Sequence, residues 1–110
     1  SNSYNEPNHL EFHLTHRDLW LDYSESLDQN VFNNLYSGLY LRLNKANELI
    51  YKNKKIAKLS NAGRNKVINY LNKGYNIKSI QLNYLVYWYK KETNNEVLLA
   101  LPKIVFEKDI

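Results

Sequence analysis

Arg64, Asn65, Asn69 and Asn72 are the polar positions of a short segment whose apolar residues recur at helical spacing. Arginine can pair bidentately with a guanine edge and asparagine with an adenine edge, so this combination suits the reading of bases. Lys52, Lys54, Lys55 and Lys58 cluster just before it, and Lys90 and Lys91 follow further on. Cations placed in this way would hold phosphates and fix register without reading sequence. His9, His13 and His16 form a second set, with Glu11 between the first two. Imidazoles and a carboxylate on one strand face could bind a metal or act as a general acid–base pair. No fourth ligand falls at a usual spacing, so surface histidines are the plainer reading, and no metal or cofactor is expected. The enzymatic alternative is a small basic α+β ribonuclease or toxin, with His13 or His16 working beside Arg64 or a lysine that stabilises phosphate charge.

The elements that must position these residues follow from periodicity. Residues 1–8 are polar and read as a disordered tail, leaving 9–110 as one globular domain. Leu10, Phe12 and Leu14 alternate with polar residues, as in a half-buried strand. Thr15 and Asp18 stand at capping-box spacing ahead of Leu19, Trp20 and Tyr23, which suits a short helix. From Gln29 to Tyr51, Phe32, Leu35, Tyr36, Leu39, Leu43, Ala46 and Ile50 recur at steps of three and four, predicting a long helix with Asp28 or Ser26 as its cap. Lys54–Leu59 reads as a short basic helix. Ser60-Asn61-Ala62-Gly63 reads as a turn, and a second helix from Arg64 to Lys73 should bury Val67, Ile68 and Leu71. Gly74 is its stop. Beyond Ile77 the period becomes two: Ile80, Leu82, Tyr84, Val86 and Trp88 share one face, and Leu85, Tyr87 and Tyr89 lie on the other. Val97, Leu99 and Leu101 form the returning strand, which Pro102 should end or bulge.

The net charge of +4 conceals an uneven distribution. Residues 1–30 carry six acids against Arg17, whereas residues 31–91 carry twelve lysines and arginines against Glu48 alone. A block this basic favours phosphate partners. Seventeen asparagines and ten tyrosines also fit compositional drift toward AT-rich codons, which supplies lysine without any function. No cysteine is present, so disulfides and thiolate chemistry are excluded. No apolar run approaches the roughly 20 residues that cross a bilayer, so no membrane partner is expected and an intracellular setting is.

Ile56, Ala57, Ala62, Val67 and Tyr70 have the spacing of a helix-turn-helix, and over Lys54–Leu101 the chain resembles a winged helix-turn-helix domain. The resemblance implies an α+β fold with helices in the N-terminal two-thirds and an antiparallel hairpin, the wing, at the end. It implies non-catalytic binding of nucleic acid, duplex DNA first, by a module of a regulator or replication protein. The second helix would enter the major groove with Arg64, Asn65, Asn69 and Asn72. Asn61 stands where glycine is usual, and the hairpin is longer than most wings. Tyr87 and Tyr89 could stack unpaired bases, although packing beneath a helix is the commoner use of such a row. A protein-interaction domain or homodimer is the third reading, with Leu85 and Tyr87 as its apolar patch.

Overall fold

Strand β1 (His9–His13) buries Leu10 and Phe12 in part and turns His9, Glu11 and His13 outward, as the alternation requires. It opens the part of the chain that the computed structural model describes, residues 7–109. Of the tail expected at residues 1–8, residues 1–6 lie outside the described residues, as does Ile110. Pro7 and Asn8 are tied down: the Pro7 carbonyl accepts from the Tyr75 hydroxyl at 2.6 Å, and the Asn8 carbonyl accepts from the Lys108 amide at 2.8 Å. Asp18 closes a 3-10 turn (His16–Asp18), its carboxylate accepting from the Thr15 amide at 2.8 Å and hydroxyl at 3.2 Å. Leu19 and Trp20 then run alongside the later segment 58–59 before helix α1 (Leu21–Ser26).

The long helix expected over Gln29–Tyr51 does not form. Asp28 caps only a 3-10 turn, Gln29–Phe32, where its carboxylate accepts from the Asn30 amide at 3.0 Å. Gly38 takes φ +94°, and strands β2 (Arg42–Leu43), β3 (Glu48–Tyr51) and β4 (Lys54–Lys58) follow as one antiparallel sheet in that order. The reason is local hydrogen bonding by asparagine, which competes with helix. Asn44 Oδ1 accepts from the amides of Ala46 at 3.0 Å and Glu48 at 2.8 Å, folding the β2–β3 turn. Asn47, Lys52 and Asn53 have φ of 63°, 47° and 65°, and the pair at 52–53 makes the tight β3–β4 hairpin turn.

Helix α2 (Asn61–Asn72) covers the segment expected to be helical but begins earlier, since Asn61, Ala62 and Gly63, read as a turn, form its first turn. Ser60 is its cap, Oγ accepting from the Gly63 amide at 3.1 Å, and Gly74 at φ +95° ends it. Gly63, Val67 and the half-buried Tyr70 face the core; Ile68 and Leu71, expected inside, are exposed. Val67 shares one buried cluster with Ile56 and Leu39, Leu43 packs on its margin, and Leu71 does not join.

Strands β5 (Tyr75–Lys90) and β6 (Asn95–Lys108) form a hairpin that, with β1, makes the second sheet in the order β1-β6-β5. Pro102 neither ends nor bulges β6; the bulge lies opposite, in β5 between Leu82 and Tyr84. Leu82 pairs with Pro102 but Tyr84 pairs with Leu101, so the inserted residue moves β5 side chains to the other face. Ile80 and Leu82 therefore share a face with Ile104, whereas Val86 and Trp88 share the opposite face with Leu99 and Val97. The single face expected for Ile80, Leu82, Tyr84, Val86 and Trp88 is two faces.

These observations overturn the winged-helix-like architecture. The first two-thirds interleaves four strands with α1 and α2, the supposed first helix of the helix-turn-helix is β4, and the supposed wing is part of the main sheet. The only α-helices among the described residues are α1, with 6 residues, and α2, with 12. Neither is long and apolar enough to cross a membrane.

Candidate nucleic-acid interface

A cleft of about 810 Å³ opens between the first turn of α2, the β2–β3 turn and Trp20. Lys45, Ala46 and Asn47 form one wall; Lys58, Ser60, Asn61 and Arg64 form the other. Trp20 is 49% exposed, although its backbone is fixed by a 2.8 Å hydrogen bond from its amide to the Lys58 carbonyl. The Lys58 ammonium lies 4.9 Å from the indole centroid, a cation–π contact. Lys45 and Arg64 are exposed, and neither has an acidic partner among the described residues. The N-terminal end of α2 adds its partial positive charge to theirs.

The scaffold behind the cleft is a backbone lattice. The Asp18 carbonyl accepts from the Ser60 amide at 2.9 Å, and Ser60 Oγ donates to the Arg17 carbonyl at 2.7 Å. The buried Asp18 carboxylate takes Lys66 Nζ at 2.8 Å. The 3-10 turn is thereby fastened to the start of α2, and Trp20 is held two residues further along.

Pairing explains much of the charge asymmetry. Asp18 meets Lys66, Glu25 and Asp22 meet Lys90 at 2.7 and 3.6 Å, Glu11 meets Lys103 at 3.6 Å, and Glu107 meets Lys78 at 2.9 Å. The acidic start thus neutralises part of the basic middle within the fold, and the Glu25 carboxylate holds the Lys90 ammonium in its charged form to higher pH. Glu48 accepts from Asn44 Nδ2 at 3.0 Å and the Tyr23 hydroxyl at 2.7 Å, with Lys55 at 3.4 Å. Those hydrogen bonds, Asn44 first, lower its pKa from the ordinary 4.5 to about 2, while burial pushes the Tyr23 hydroxyl up. Because the folded pKa lies below the unfolded one, Glu48 contributes its full stability above pH 4.5 and loses it as pH falls toward about 2. The urea midpoint should decline through that window in the native chain and decline less steeply in Glu48→Gln. Equal slopes in the two proteins would contradict the arrangement.

The fold does not gather the expected site residues into one surface. Arg64 and Lys58 line the cleft. Asn65, Asn69 and Asn72 lie exposed along α2. Lys52 and Lys54 sit at the β3–β4 turn beside a smaller recess of about 310 Å³ with Tyr36 and Tyr51. Lys55 is engaged by Glu48, Lys90 is engaged by Glu25, and Lys91 is exposed at the hairpin tip. Tyr87 and Tyr89 are exposed rather than packed under a helix, at 69% and 54%. His13 contacts Glu11 at 3.4 Å and Asn83 at 3.0 Å, His9 contacts Glu107 at 3.6 Å, and no histidine lines the cleft. Among the described residues no group of three metal-ligating side chains comes together. Trp20 and Lys45 are the functional candidates that the sequence reading missed. Lys45 falls within the Gln29–Tyr51 stretch whose periodicity predicts a helix, and nothing about Trp20 distinguishes an exposed indole from a buried one.

No protein family, curated protein or solved structure shows significant similarity to the chain.

Proposed function

We propose that this domain binds nucleic acid without catalysis, with an unpaired strand in the Trp20 cleft. The observation that carries the reading is Trp20: a half-exposed indole on a rigid backbone, in a concave site with Lys45, Lys58 and Arg64. A base stacking on the indole would complete its burial, and the cations would hold the adjoining phosphates. Duplex DNA keeps its base faces closed, so it cannot use an indole inside a cleft without unstacking. One observation favours a duplex reading instead: Arg64, Asn65, Asn69 and Asn72 are all exposed on α2 and could meet base edges in a major groove.

Salt-dependent anisotropy titrations with single-stranded DNA, single-stranded RNA and duplex DNA separate the two. Trp20→Ala should weaken single-strand binding by about 1–3 kcal/mol, or about five- to 150-fold, while the protein remains folded. Tighter duplex binding that ignores Trp20→Ala and falls with Asn69→Ala would replace this reading with the duplex one. RNA cleavage abolished by His13→Ala or His16→Ala would replace both with the ribonuclease.

A further inference from the structure

We infer that the bound strand continues past Lys45 into a second compartment between the edges of the two sheets, where Arg42 holds its backbone. This rests on the Trp20 cleft being a nucleic-acid site and adds its extent and direction. The compartment, about 480 Å³, is lined by Arg42, Leu43, Asn44 and Lys45 on one side and by residues 77–80 of β5 on the other. Lys45 lines both compartments, so they share a wall.

The opening follows from the topology. Segment 38–41 runs beside β5, and the Leu41 amide donates to the Ile80 carbonyl at 2.8 Å. After Leu41 the chain turns away into β2, the outermost strand of its sheet, while β5 is the outermost strand of the other. A gap is left between two sheet edges, with apolar walls from Leu41, Leu43 and Ile77. Arg42 is exposed and has no acidic partner among the described residues, whereas Lys78 across the gap is already engaged by Glu107. Arg42 is therefore the unpaired cation that this compartment has beyond the shared Lys45, placed to meet a phosphate, and the apolar walls suit the face of a base. Taken together the two compartments make a track for about four nucleotides, the short end of single-strand sites.

Oligothymidylates of about two and about eight nucleotides, titrated by anisotropy, test this. The native chain should bind the longer one at least about tenfold more tightly. Arg42→Ala should remove most of that gain and leave the shorter oligonucleotide unaffected. Trp20→Ala should weaken both, and Lys91→Ala at the distant hairpin tip should weaken neither. If Arg42→Ala leaves the longer oligonucleotide unchanged, or weakens both lengths equally, the second compartment is not used, although a continued Trp20 dependence would preserve the first. Failure of both oligonucleotides to bind would overturn the cleft and its extension together.

Discussion

Replacing Gly63 with alanine should cost at least about 3 kcal/mol of stability and leave little of the chain folded at elevated temperature. Helix propensity argues the other way, since alanine is favoured over glycine by about 1 kcal/mol in a helix interior. Packing decides the sign. A Cβ at position 63 would fall 2.2 Å from the Asp18 carbonyl oxygen and 3.0 Å from its carbon. That oxygen belongs to backbone and already accepts from the Ser60 amide, so it cannot swing aside as a side-chain tip would. Relief requires α2 and the 3-10 turn to separate, which breaks the Ser60 contacts and the Asp18–Lys66 pair together. Urea unfolding of the purified variant measures the loss. A Gly63→Ala protein of native or greater stability would show that α2 does not sit against Asp18.

Phe106→Ala should cost about 3–5 kcal/mol, whereas Tyr87→Ala should lie within about 0.5 kcal/mol of the native chain. Phe106 is fully buried, its ring 4.8 Å from that of Tyr70 and 6.5 Å from that of Tyr75, so truncation leaves a cavity between the sheet and α2. Tyr87 pairs with Leu98, which by register shares the face of Phe106, yet it stands beyond the part of that face that α2 covers. The contrast therefore tests the consequence of the β5 bulge. Above it the core uses the opposite face, through Val86, Trp88, Val97 and Leu99. Comparable losses in the two variants would mean that the tip of the hairpin is covered on the tyrosine side.

Where one residue type had one local meaning, the sequence was readable. Gly74 after a helical stripe marks its element correctly, and strict alternation marks β1 and most of β5 and β6; the Thr15–Asp18 spacing marks a 3-10 turn and not the helix expected to carry Leu19 and Trp20, which precede α1. The failures come where a pattern serves two structures equally. Apolar residues from Phe32 to Ile50 fit a helical stripe, but they also supply a turn, an edge segment and two short strands. The deciding features were Gly38 and the asparagines at 44, 47 and 53, whose left-handed angles and side-chain hydrogen bonds interrupt a helix. The faces of β5 depended on a bulge that no residue type near Asn83 announces. For the site, Arg64 and Lys58 were legible as cations beside a helix start. Their union with Trp20 and Lys45 was not, because it arises from strands and turns read as helix.

Chemical-shift mapping of backbone amides and tryptophan indoles during titration with a single-stranded oligonucleotide would show whether a strand occupies the Trp20 cleft. Saturating shifts should concentrate at the Trp20 indole, the 45–47 turn and residues 58–64, with little change at Lys91 or the tyrosines of the hairpin tip. Shifts confined to Asn65, Asn69 and Asn72 or to the Tyr87–Tyr89 face, with the Trp20 indole unmoved, would contradict it.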